Sequence, residues 1–328
     1  MRDHCSVIAR LAVALAAMLV IALPVAAQEK FPSRPIEMII PTPAGGGTDI
    51  TMRKLAAIAE PALGQKVVII NKPGAVGTVG VNALVTAKPD GYIIAGLWNS
   101  PLTMTPHQTT VPYGPNDYVP ISLSNSAPLV FCVKPDFPAK DGKEFIELIR
   151  KNPGKYTYGG DGIGGTVHLA GERIFTKLGV SGNARLIPFN SAGETLQNFL
   201  GGHIDIYGGS FPPIMPYLKD NSMRCLLVTS AQRSFVAPDV MALADFGIAS
   251  EATPVWGGLI APKGTPPERI AILEKAFADA ARTQEYKEYM RGLGTDAVGS
   301  NAPEFKVMLD SEYNAMGQVV KNLGLVRK

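Results

Sequence analysis

Ile36-Glu37-Met38-Ile39-Ile40-Pro41-Thr42-Pro43-Ala44-Gly45-Gly46-Gly47-Thr48-Asp49 is the stretch on which the fold turns. It reads as a short apolar strand, a glycine-rich turn, and the start of a helix running to about Gly64. Consecutive glycines let the chain take φ > 0 and let a ligand approach the backbone closely. Thr48 and Asp49 are residue types that close a first helical turn. Unpaired N–H groups and the helix dipole at such a start favour an anion, so the loop is expected to hold a carboxylate. The plainer alternative is a tight turn whose glycines serve helix–strand packing.

Outward from this loop, strand and helix signals alternate. Lys66–Ile70 is a second strand, Thr78–Ala87 a helix, and Tyr92–Leu97 a third strand running into Asn99-Ser100. This rhythm indicates a mostly parallel sheet flanked by helices, with ligands off the carboxyl ends of the strands. Asn99 and Ser100 are therefore expected on the same rim as the glycine loop. Pro101–Asn125 lacks periodicity and reads as a long connection to a crossing near Ser124–Ala127. A second series follows, in which Gly159-Gly160-Asp161-Gly162-Ile163-Gly164-Gly165-Thr166-Val167-His168 opens a helix and Asn190-Ser191-Ala192-Gly193 opens another. A return crossing is expected within Pro238–Trp256. The resulting assignment is a signal peptide at 1–27, one domain from 28–125 plus 250–328, and an inserted domain at 126–249. Thr265-Pro266-Pro267-Glu268 and Asn301-Ala302-Pro303-Glu304 both read as capping boxes.

The 328 residues are 46% hydrophobic and 18% charged, with 31 basic against 28 acidic side chains spread along the chain. No basic cluster suggests a nucleic-acid surface. Arg2 and Arg10 precede an apolar run, Leu11–Leu23, too short to span a membrane. Small residues before Gln28 then complete a secretory signal, cleaved after Ala27, and imply export to the periplasm. Cys132 and Cys225 remain, each in an apolar strand-like run; buried free thiols are the favoured reading and a disulfide the alternative.

Gly160, Gly162 and Gly165 match G-x-G-x-x-G, but no acidic ribose partner closes the next strand, so an α/β enzyme binding a nucleotide there is the runner-up. The first loop lacks the G-K-[ST] ending of a P-loop. No G-x-S-x-G, H-E-x-x-H or Cys/His ligand spacing is present, so neither hydrolase nor metal chemistry is expected. His168 either faces the cleft or bonds a neighbour on its helix. Asp205 is expected to organise its loop, with direct ligand contact as the second reading.

The chain resembles the extracytoplasmic solute receptors of tripartite tricarboxylate transporters, the Bug-type receptors. The matching stretches include Phe31-Pro32-Ser33-Arg34-Pro35-Ile36, Pro43–Asp49 and Asn71-Lys72-Pro73-Gly74-Ala75. Ala87-Lys88-Pro89-Asp90-Gly91-Tyr92, Asn152-Pro153-Gly154-Lys155, His168-Leu169-Ala170-Gly171-Glu172 and Ala261–Pro266 continue the match in order. The resemblance implies a two-domain α/β periplasmic binding protein of the Venus-flytrap kind, non-enzymatic and without a cofactor. A monomer that delivers a small organic acid to membrane subunits of a transporter is expected. It further implies a carboxylate held by main-chain N–H groups around Ala44, Gly45, Gly46, Thr48 and Asp49, and around Gly164, Gly165, Thr166 and His168, with Asp205 matching an acidic family position. Asn99, Ser100 and Asn190 join these as candidate ligand contacts. Two departures stand out: Thr42 replaces a usual aromatic, and Phe189-Asn190-Ser191 replaces a Tyr followed by a basic residue and Gly. Without that positive side chain, a monocarboxylate, or an acid with an apolar or amide-like far end, is expected over citrate-like triacids.

Overall fold

The computed structural model describes residues 30–326. The expected signal peptide lies outside the described residues, and everything below concerns the compact unit Arg34–Lys328.

In chain order the first elements are β1 (Ile36–Ile40), α1 (Gly47–Leu63), β2 (Val67–Asn71), α2 (Thr78–Val85), β3 (Ile93–Trp98), the short α3 (Ser100–Thr103) and β4 (Tyr118–Val133). The middle of the chain forms α4 (Gly142–Lys151), β5 (Tyr156–Gly160), α5 (Thr166–Lys177), β6 (Ala184–Pro188), α6 (Ala192–Leu200), β7 (Ile206–Ser210), α7 (Met215–Lys219) and β8 (Arg224–Val228). It closes with β9 (Pro254–Pro262), α8 (Pro267–Arg282), α9 (Gln284–Gly292), β10 (Asp296–Ala297) and α10 (Ala302–Asn322).

Strand order along the sheet is β2-β1-β3-β9-β4-β7-β5-β6, with β8 and β10 also pairing β4. Each outer part is parallel, β2-β1-β3 in one lobe and β7-β5-β6 in the other. Between them β4 and β9 run antiparallel to their neighbours. The sheet is therefore mixed rather than parallel throughout, because the two strands that cross between lobes enter from opposite directions.

The expected loop at Pro101–Asn125 is corrected: it holds α3, a 3-10 turn at Thr105–His107, and the first half of the 16-residue β4. Polarity hid this strand. Ser122 and Ser124 are fully buried, yet their hydroxyls donate to Ser300 O at 2.7 Å and Gly257 O at 2.9 Å. Buried hydroxyls with backbone partners cost little, so a serine-rich segment can sit in a core strand. The crossing is thus continuous extended chain, and the return strand lies against it, Ser126 opposite Trp256 and Ala127 opposite Val255.

Both lobes have their own cores. Phe131, Phe145, Tyr158 and Phe175 pack in the second lobe, and Ile39, Leu97, Trp256 and Phe305 in the first. The apolar stripe of α10, with Phe305, Leu309, Met316 and Val320 buried, packs the helix onto the first lobe as its spacing suggests. Asn301 caps it in a reciprocal box with Glu304, whereas at α8 the expected box does not form. There Thr265 donates its hydroxyl to Pro262 O at 2.8 Å, and Pro266 takes the capping position.

Cys132 and Cys225 form a disulfide, which corrects the expectation of free thiols. Both do lie in strands, but β4 and β8 pair in antiparallel register with Cys132 facing Cys225. Sequence hydropathy recorded the burial and could not record the register.

Candidate functional site

The site is built at the carboxyl ends of the strands, where loops of both lobes meet. A cavity of about 460 Å³, its mouth included, is lined by Thr42, Gly46, Gly47 and Thr48 of the β1–α1 loop and by Trp98 at the end of β3. Across from them stand Asp161 and Val167, then Asn190, Ser191 and Ala192 at the start of α6, and Gly208–Ser210 at the end of β7. A smaller space of about 330 Å³ shares Gly47, Thr48 and Ser210 and adds Thr51, Asn125 and Thr295. Among the described residues, Asp161 is the one ionisable group lining the first cavity, and none lines the second, so neither is lined by a described Lys, Arg or His.

The first loop owes its shape to Asp49. Gly45 adopts φ 82°, a conformation that suits glycine, and its N–H donates to Asp49 Oδ2 at 3.0 Å. The same carboxylate accepts from Arg53 Nε and from Asn71 Nδ2, both at 2.9 Å. Burial works to raise the Asp49 pKa, but these donors outweigh it and hold the group below its ordinary value. Asp49 therefore braces the loop from behind, and the Gly45 amide is already engaged. The first backbone bond into α1 is Ile50 N–H to Gly46 O, which leaves the N–H groups of Gly47 and Thr48 at the cavity without helical partners. The Thr42 hydroxyl is buried and unpartnered beside them.

The second positive end comes from α6, not from the glycine-rich start of α5. Ser191 caps α6 by accepting Glu194 N–H at 3.1 Å, and Thr195 N–H makes the first helical bond back to Ser191 O. The amides of Ala192 and Gly193 precede that bond. At α5 the corresponding place is filled: Asp161 accepts Thr166 N–H at 2.9 Å and Val167 N–H at 2.8 Å. A nucleotide phosphate at Gly160–Gly165 would have to displace this carboxylate.

Of the residues expected at the site, Gly46, Thr48 and Asn190 line the cavity. Ala44 and Gly45 face a separate outer groove. Gly164 donates its N–H to His168 Nδ1 at 2.8 Å and accepts from Gln108 Nε2 at 2.8 Å, and Gly165 packs against Asp161. His168 is thus bonded to its own loop, and burial lowers its pKa, in keeping with a neutral, accepting ring. Ser100 is buried with its hydroxyl 3.4 Å from that of Thr105. Asp205 is exposed and lies immediately before β7, accepting from Thr157 N–H at 2.8 Å and Thr157 Oγ1 at 2.9 Å. Because the cavity sits at the other end of β7, Asp205 is removed from it.

Asn99 and Thr166 meet each other. Thr166 Oγ1 donates to Asn99 Oδ1 at 2.8 Å across the lobes. Asn99 Nδ2 donates in turn to Glu312 Oε1 at 3.0 Å, which also accepts from Thr103 Oγ1, while Glu312 Oε2 accepts from the Trp256 indole. Burial raises the Glu312 pKa despite these donors. A raised folded-state value means that its stabilising contribution is complete below the unfolded pKa, near 4.5, and is lost as pH rises through the folded pKa. Glu312→Gln cannot titrate, so the unfolding free energy of the wild type relative to this variant should fall as pH rises above the ordinary value of 4.5 in denaturant melts. A flat difference would remove Glu312 as the cause.

Sequence reading passed over Asp161, Trp98, Gly47, Ser191 and Ser210. Asp161 had a faint signal, an acid within the glycine run, but it stands four residues before the capping position Gly165, where no capping rule looks.

A family profile described as tripartite tricarboxylate transporter family receptor matches residues 51–325. A Cupriavidus necator protein named UPF0065 protein in gbd 5'region is 34% identical over 330 residues, spanning 99% of each chain. The solved structure of the periplasmic binding protein BugD superposes with a TM-score of 0.85 at 29% identity, over 91% of this chain and 100% of that one. MatC from Rhodopseudomonas palustris, solved with bound malate, shares the fold at TM-score 0.82 and 24% identity, over 88% of this chain and 100% of that one. On this match in sequence and fold, the chain belongs to the tripartite tricarboxylate transporter receptor family of periplasmic solute-binding proteins.

Proposed function

We propose that the protein captures a small organic carboxylate between its lobes and delivers it to membrane subunits of a tripartite tricarboxylate transporter. One observation carries the reading: the amino ends of α1 and α6, from different lobes, converge on a cavity that, among the described residues, no basic side chain lines. Helix starts supply N–H donors and positive potential together, which suits one carboxylate. Gly47 and Thr48 N–H would hold it from one side and Ala192 N–H from the other. Ser191, already accepting from Glu194 N–H, keeps its hydroxyl proton to donate. The unpartnered Thr42 hydroxyl adds a further donor. Closure of the lobes on the ligand would bring these groups together, and opening would release it. Malate in the related MatC structure is consistent with an acid in this fold.

With no cation to pair a second or third carboxylate, the cavity favours a monocarboxylate or an acid with an apolar or amide-like far end. Export by a cleaved signal and a monomeric receptor without turnover belong to the same reading. A thermal-shift screen tests it. Stabilisation follows RT ln(1 + [L]/Kd), about 2.7 kcal/mol at a hundredfold excess over Kd. Small monocarboxylates should shift the melt, whereas citrate, NAD and ATP should not. A shift with NAD or ATP alone would transfer the protein to the nucleotide-binding reading.

A further inference from the structure

We infer that Asp161 selects the ligand, demanding a hydrogen-bond donor, whether ammonium, hydroxyl or amide N–H, at the end remote from the bound carboxylate. The inference rests on the carboxylate reading above and narrows it. Asp161 caps α5 with one bond to each carboxylate oxygen, Oδ2 from Thr166 N–H and Oδ1 from Val167 N–H. An ionised carboxylate offers about four acceptor sites, so capping leaves about two unfilled. The indole N–H of Trp98, from the other lobe and lining the same cavity, is buried with no hydrogen-bond partner. Asp161 lines the cavity and keeps partial exposure, so its unfilled acceptor sites border the space a ligand would occupy.

Among the described residues, no basic side chain shares that space. A ligand carrying a second carboxylate would place it in a small cavity with Asp161 and no counter-ion. A methyl end would leave the Asp161 acceptors and the Trp98 donor dehydrated and unpaired. An end bearing a donor satisfies the carboxylate, and a charge-assisted bond of this kind is among the stronger ones available. Discrimination here therefore uses both an attractive partner and a repulsion against diacids.

The experiment is calorimetric titration of the full mature protein with matched acids of three to six carbons. At the four-carbon length the probes are butyrate, succinate, succinamate, 4-hydroxybutyrate and 4-aminobutyrate. At the preferred length, at least one donor-ended acid should bind about tenfold or more tightly than the methyl-ended and diacid members. Asp161→Asn should erase that margin and narrow the gap to the diacid. If the wild type binds these acids without regard to the far end, or prefers the diacid, the assignment to Asp161 fails while the carboxylate reading survives. If Asp161→Asn keeps the wild-type ranking, the assignment fails likewise. If no acid binds at any length, both fall. Should the variant not fold, the wild-type ranking decides by itself.

Discussion

Gly193→Leu should raise the Kd for the captured acid about a hundredfold or more, equivalent to roughly 2.7 kcal/mol, without lowering the melting temperature of the ligand-free protein. Gly193 is the second residue of α6 and packs directly on the first glycine loop of the other lobe. A Cβ there would lie 3.1 Å from Gly45 O and 3.4 Å from Gly46 N, backbone atoms that cannot swing aside as a side chain can. Within α6 itself, leucine is a better helix former than glycine by up to about 1 kcal/mol, so the opened protein has no reason to weaken. Gly193→Ala should give a smaller loss, since a contact of this length needs only slight movement. Titration calorimetry beside a ligand-free melt separates the two effects. Wild-type affinity in Gly193→Leu would mean that the approach of α6 to the Gly45 loop plays no part in capture.

The Cys132–Cys225 bond should account for about 2–4 kcal/mol of stability, lost on replacing both cysteines with alanine. The two residues are 93 apart in sequence, so the bond closes a long loop in the unfolded chain and restricts that state strongly. Neither cysteine lines the ligand cavity, so affinity should change little while the denaturation midpoint falls. Thiol titration of the denatured protein, without reductant, checks the premise: neither Cys132 nor Cys225 should react until the bond is reduced. Two thiols before reduction would contradict the bond. A periplasmic setting, which the family implies, is one where such a bond persists.

Much of this architecture could be read from local patterns. Ile36–Ile40, the glycine turn and the helix ending at Gly64 appear nearly as expected, because apolar runs, turn glycines and an αL C-cap are local signals. The starts of α5 and α6 were likewise visible in Gly165-Thr166 and Ser191-Ala192. The central strand was not. Its serines look like loop until Ser300 and Gly257 arrive from distant parts of the chain to accept their hydrogen bonds. Asp205 precedes β7, and only the fold shows that the cavity lies at that strand's other end, with Gly208–Ser210.

Sequence alone determined that this protein has two glycine-rich helix starts at strand ends and that Asn190-Ser191, with no basic residue, follows Phe189. Tertiary structure alone decided which amides remain available. Asp49 ties up Gly45, His168 ties up Gly164, and Asp161 fills the start of α5, so α6 becomes the partner of α1. Motif spacing reports that an N–H exists; whether it is free depends on a carboxylate or ring that folding brings to it, and that is a property of three-dimensional proximity.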